Sequence, residues 1–192
     1  MEEWEEARAK REAKMMQLWQ TFTEREGFKE VYLICGRSIR LLREALFSYE
    51  NGAFLGCAIM CRASTEALVY ATASLDKAKI KVDPNNTVHQ SGIIYDYTDS
   101  RYGEIVEKSK LTGFVMNTDL SKLEEIRHEG NFGAHFGREF DRRILNYNTK
   151  DQPLTLDISE ERAMEILEAT ESIISIIMGR IFEFAKTLSE DS

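Results

Sequence analysis

Arg, Asn and His crowd into one short stretch, Leu120 to Arg138 (LSKLEEIRHEGNFGAHFGR), together with three glycines. An imidazole near neutral pKa exchanges protons, a guanidinium grips a phosphate through paired N–H groups, and an asparagine amide can orient either. Without a carboxylate cluster, this set suits metal-independent cleavage of RNA, in which the 2′-hydroxyl attacks its own phosphate. His135 would move the proton, Arg127 would stabilise the developing charge and Asn131 would orient them. Read as a single helix, the stretch places Leu120, Leu123, Arg127, Asn131, Ala134, His135 and Arg138 on one face. One such set per chain is sparse, so two chains would pool theirs across a two-fold axis.

Gly130, Gly133 and Gly137 each cost about 1 kcal/mol against alanine inside a helix. Either the helix ends at Gly130 or another element approaches its backbone closely. In the first case Asn131 is a turn residue and His135 a ring satisfied by a carbonyl. Arg127 and Arg138 also offer charge to a nucleotide or small anion. Metal chemistry finds no support: Cys57 and Cys61 are four apart, His128 and His135 are remote, and no four-ligand spacing exists. No phosphate-binding glycine loop, GxSxG or HExxH is present, and no cofactor is expected.

The elements that must hold these residues read as helices. Trp4, Ala7, Arg11, Met15, Leu18 and Phe22 recur at helical steps over 2–24, and Gly27 closes this segment. A second helix is expected from Phe28 to Tyr49 and, after the Asn51-Gly52 turn, a third over 53–75 folds back on it. The third is apolar all round before Arg62 and therefore central. Arg62 and Glu66 lie one turn apart and are expected to pair, fixing helix register or lining a binding surface. Residues 76–103, rich in turn formers and tyrosine, read as a loop or broken helix. A helix over 104–116 should turn Ile105, Val106 and Leu111 inward. Asn117-Thr118-Asp119 and Ser121-x-x-Glu124 offer caps for the helix carrying Arg127. Residues 141–157 read as a polar connection, with Leu154-Thr155-Leu156 as a short extended piece. Asp157 or Ser159 caps a last helix over 160–188, whose apolar second half suits a subunit interface or a central position.

The 192 residues are 43% hydrophobic and 30% charged, with only two prolines, which suits one helical domain, residues 28–192, behind an amphipathic N-terminal arm, residues 1–27. A net charge of −8 and a pI near 5.1 oppose sequence-independent nucleic-acid binding, leaving room only for a local basic patch. The first twelve residues lack an apolar signal core. The longest membrane candidate, Ile173 to Phe184, is broken by Ser175, Gly179, Arg180 and Glu183, so no membrane association is expected. Three cysteines are few and odd in number, which points to reduced thiols and a cytoplasmic protein.

Arg62-Ala63-Ser64-Thr65-Glu66, Ile126-Arg127-His128-Glu129-Gly130-Asn131-Phe132-Gly133-Ala134-His135 and Ile158-Ser159-Glu160-Glu161-Arg162-Ala163 together resemble the HEPN superfamily. Within it they resemble the domain-of-unknown-function 4145 branch, over about Phe28 to Leu188. The resemblance implies an all-α antiparallel helical bundle paired as a homodimer, with the Arg/His helices facing each other. It also implies either a metal-independent ribonuclease of toxin, defence or RNA-processing systems or a non-catalytic dimerisation and binding module. A nucleotidyltransferase antitoxin is a common companion of such proteins. Asn131 and His135 match the nuclease pattern, whereas Gly130 stands where that pattern has Arg. Arg127 lies one turn upstream of Asn131. Three functions are therefore expected to compete: RNA endonuclease, partner-binding module, and binder of a nucleotide or small anion.

Overall fold

The computed structural model describes residues 2–83, 85, 87–90, 101–134 and 158–190. They form a predominantly helical bundle. In chain order the helices are α1 (Glu2–Thr23), α2 (Phe28–Glu50), α3 (Phe54–Ala73), α4 (Tyr102–Thr112), α5 (Asn117–Ala134) and α6 (Glu160–Glu190).

Helix α3 is the axis. It is apolar on nearly every side, and α2, α4, α5 and α6 all pack against it. Cys57, Ala58, Cys61, Leu68 and Val69 are fully buried. By length and composition α3 could cross a membrane, so span length is reached here, in a segment the sequence reading passed over for 173–184. In the bundle, neighbouring helices cover its buried face instead. Helices α2 and α3 form the expected hairpin through Asn51-Gly52. Val31, Cys35, Ile39, Leu42 and Ala45 of α2 face inward at helical spacing.

The last helix is central as well. Ile173, Ile174, Ile177 and Ile181 are buried within the chain itself, which accounts for its apolar second half. Ser159 Oγ caps its start by accepting from the Arg162 N–H at 3.1 Å. Helix α1 packs chiefly on α2. Arg8 Nη2 donates to Glu50 Oε1 at 2.8 Å, and the buried Arg11 donates Nε to the Glu50 carbonyl at 3.0 Å.

Three details differ from the expectations of the sequence, one being that the helix expected over 104–116 stops at Thr112. Part of the presumed loop is a hairpin, in which β1 (Ile80–Val82) pairs antiparallel with β2 (Val88–Gln90), Ile80 opposite Gln90. The Gln90 amide fastens it to the end of α3, accepting from the Asp76 N–H at 2.7 Å and donating to the Ser74 carbonyl at 3.1 Å. The strands are three residues each, too short for alternation to declare itself. Leu111 is 88% exposed rather than inward. Six residues past Ile105 it has turned about 240°, away from the face that Ile105, Val106 and Ser109 bury. Gly113, at φ 78°, then ends α4 and redirects the chain, so that Phe114 and Val115 fill the core.

Candidate functional site

Helix α5 runs unbroken through Gly130 to Ala134, and its packing explains the first of its glycines. Gly130 is buried where α5 crosses α3. A Cβ there would lie 2.8 Å from the Ala58 carbonyl oxygen and 2.9 Å from Arg62 Cδ, so only a residue without one lets the two backbones approach this closely. The buried stripe of α5 is Asp119, Leu123, Ile126 and Gly130. Arg127 and Asn131 border this stripe, half-buried, rather than lying on it. The face proposed from sequence was thus rotated by about one residue.

Arg62 leads from that crossing to Glu66, donating Nε to Oε1 at 2.9 Å, so the expected one-turn pair is formed. Arg127 approaches the same carboxylate from α5. Its Nε lies 3.7 Å from Glu66 Oε1 and its Nη1 lies 3.6 Å from Glu124 Oε2. Its guanidinium carbon sits 4.5 Å from the centroid of the Tyr102 ring, a cation–π contact that α4 supplies. Two guanidinium and two carboxylate groups therefore meet in one cluster and balance in charge.

Burial pushes the Tyr102 phenol above its ordinary pKa; Glu124 and Glu66 push the same way, while Arg127 and Arg62 oppose them. The phenol stays protonated at neutral pH. Its hydroxyl and Arg127 Nε make no hydrogen bond among the described residues. The cluster thus holds charge and a hydrogen-bond donor.

Other contacts fix α5 in place. At its start the buried Asp119 accepts from the Met116 N–H at 2.7 Å and pairs with Arg180 of α6, which also donates to the Phe114 carbonyl at 3.0 Å. Of the cap candidates that the sequence offers, Asp119 is thus the one that reaches back to the helix start, rather than Ser121 with Glu124. Farther along, Arg162 of α6 donates to Glu125 at 3.0 Å and Glu129 at 2.9 Å on α5, and to Glu165 at 2.8 Å.

Of the residues singled out by sequence, the structure joins Arg62, Glu66 and Arg127 and sets Asn131 one turn beyond Arg127. His135, Arg138 and Leu154-Thr155-Leu156 lie outside the described residues. Tyr102 and Glu124 belong to the cluster, and no sequence motif marks either as a site residue. Tyr102 closes a tyrosine-rich stretch with no periodicity, and only its packing against Arg127 gives it a role. Cys35, Cys57 and Cys61 are free and buried. Among the described residues, no three His, Cys, Asp or Glu side chains group as metal ligands.

No family model matches the chain, and neither a curated protein nor a solved structure matches it.

Proposed function

We propose that the chain is a non-catalytic, HEPN-like interaction module that acts as a homodimer in the cytoplasm. One observation carries this reading. Arg127, the phosphate ligand that the nuclease would need, is already occupied by Glu66, Glu124 and the Tyr102 ring. A phosphate arriving there would compete with two carboxylates and meet their repulsion. Gly130, in the position of the nuclease arginine, serves the packing of α5 on α3.

The test is incubation with labelled RNA in EDTA, using the parent and His135→Ala. Neither is expected to cleave. Cleavage by the parent that disappears in the variant, with helicity unchanged, would overturn the proposal.

The endonuclease reading retains one favourable observation. The Arg127 side chain is 31% exposed and its buried Nε makes no hydrogen bond among the described residues, so a side-chain turn away from Glu66 would present the guanidinium beside Asn131. Binding of a nucleotide or small anion draws on the same freedom. A rise in melting temperature with nucleotides, lost in Arg127→Ala, would favour that reading over the module.

A further inference from the structure

The seat of Arg127 has one weak wall. Glu66 stands on the central helix α3 and Glu124 on α5 itself, but the Tyr102 ring stands on the first turn of α4. The body of α4 is anchored: Ile105, Val106 and Ser109 are buried, and the Ser109 hydroxyl bonds that of Thr72 on α3. Ahead of Ile105 the anchoring stops. Arg101, Gly103 and Glu104 are exposed, and of residues 101–104 Tyr102 alone packs against the core.

That turn has little of its own to hold it. Arg101, at the N-cap, makes no side-chain cap, and its charge sits at the positive end of the helix dipole. Gly103 weakens the turn further, because glycine loses the most conformational freedom on entering a helix. Packing does not demand this glycine: a Cβ there would meet nothing within 4 Å. Two bonds to the Arg101 carbonyl close the turn, from the Glu104 N–H at 3.0 Å and the Ile105 N–H at 3.3 Å. Closure also strands two buried polar atoms, the Tyr102 hydroxyl and Arg127 Nε, which bond nothing among the described residues. Both gain water once Tyr102 leaves, which offsets part of the lost cation–π contact.

We infer that the first turn of α4 is a latch on Arg127. Closed, it seats the guanidinium against the Tyr102 ring. Open, it frees the guanidinium to turn toward Asn131, clear of Glu66 and Glu124, where a phosphate-type anion takes it. An anion that binds only the open arrangement shifts the population toward it. Opening breaks two backbone bonds and leaves α3, α5 and the body of α4 in place, the scale of local unfolding on which switching segments draw. The inference rests on the module reading, in which Arg127 is occupied, and names what controls that occupancy. Cleavage of RNA by the parent would overturn the module reading and leave the rates measured below untouched, so the two fail separately.

The experiment is phenylglyoxal modification of the full chain, read at Arg127 by mass spectrometry, with amide exchange of Glu104 and Ile105 measured relative to their unfolded-peptide rates. Gly103→Ala should slow both modification and exchange about threefold, because alanine favours the closed turn. Tyr102→Phe should slow both by a similar factor, since it keeps the ring and removes the hydroxyl that closure strands. Tyr102→Ala should speed modification at least about fivefold, and inorganic phosphate should protect Arg127 more in this variant than in the parent. Unchanged rates in Gly103→Ala and Tyr102→Phe would show that Arg127 reacts without any opening of α4, and would overturn the inference. So would faster modification in Tyr102→Phe, or equal protection by phosphate in the parent and Tyr102→Ala. Should Tyr102→Ala fail to fold, the other two variants decide the question alone.

Discussion

Gly130 and Arg62 occupy one crossing point: the backbone of α5 rests where the Arg62 side chain leaves α3. Gly130→Ala should therefore lower stability by about 1–3 kcal/mol through overpacking, although alanine favours an isolated helix by about 1 kcal/mol. Arg62→Ala should not rescue it, since the Ala58 carbonyl and the Cβ at position 62 remain in the way. A urea midpoint for Gly130→Ala at or above that of the parent would refute the close crossing.

The carboxylate of Glu66 serves two cations, Arg62 at 2.9 Å and Arg127 at 3.7 Å. Glu66→Gln should cost about 1 kcal/mol, because both guanidinium groups lose a counter-charge while half-buried. Arg127→Ala should cost less in the Glu66→Gln background than in the parent, with a coupling of at least about 0.5 kcal/mol. Strict additivity in that double-mutant cycle would remove Glu66 from the Arg127 environment.

What was legible in the sequence depended on the reach of each signal. Helices α1, α2 and α6 repeat their apolar spacing over several turns, so their extent is legible, as is the inner face of α2. Trp4, on the apolar stripe of α1, is nonetheless 53% exposed. Arg62 with Glu66 needs only one turn of the same helix. The seat of Arg127 was harder. It needs Tyr102 from α4 and Glu66 from α3, and no local pattern states which helices become neighbours. The glycine at 130 suggested either a break or a close approach, and only the position of α3 decides between them. The apolar character of Leu111 points inward, but its angle on α4 turns it into solvent.

Asp119 and Arg180 join the start of α5 to α6, and Asp119 is almost completely buried. Asp119→Asn should be the more damaging carboxylate replacement, costing about 3 kcal/mol by leaving Arg180 without its counter-charge. Thermal melts of Asp119→Asn and Glu66→Gln compare them directly. Equal losses would argue against the burial-based ranking.

Alkaline pH should unfold the bundle. Burial pushes the Cys35 thiol from 9.0 up to about 12. The Tyr49 phenol rises from 10.0 to about 12, through burial first and the Glu160 charge second. The unfolded chain releases these protons earlier than the folded one, so it binds fewer of them between the two values. The stability is complete below about pH 9 and is lost toward pH 12, each group contributing a slope of up to about 1.4 kcal/mol per pH unit. Urea midpoints across this range should fall, and less steeply in Cys35→Ala. A level profile would show that neither group is held protonated by the fold.

The central place of α3 has a consequence for how the chain comes into being. Its cover includes Ile173, Ile174, Ile177 and Ile181, about a hundred residues farther on. At roughly 5–20 residues per second, a ribosome needs about 5–20 s to move from Ala73 to Ile181. Throughout that interval a helix apolar on nearly all sides lacks one wall of its seat. The nascent bundle is then an open trough that invites chaperones or aggregation, and it closes only when α6 emerges to complete it.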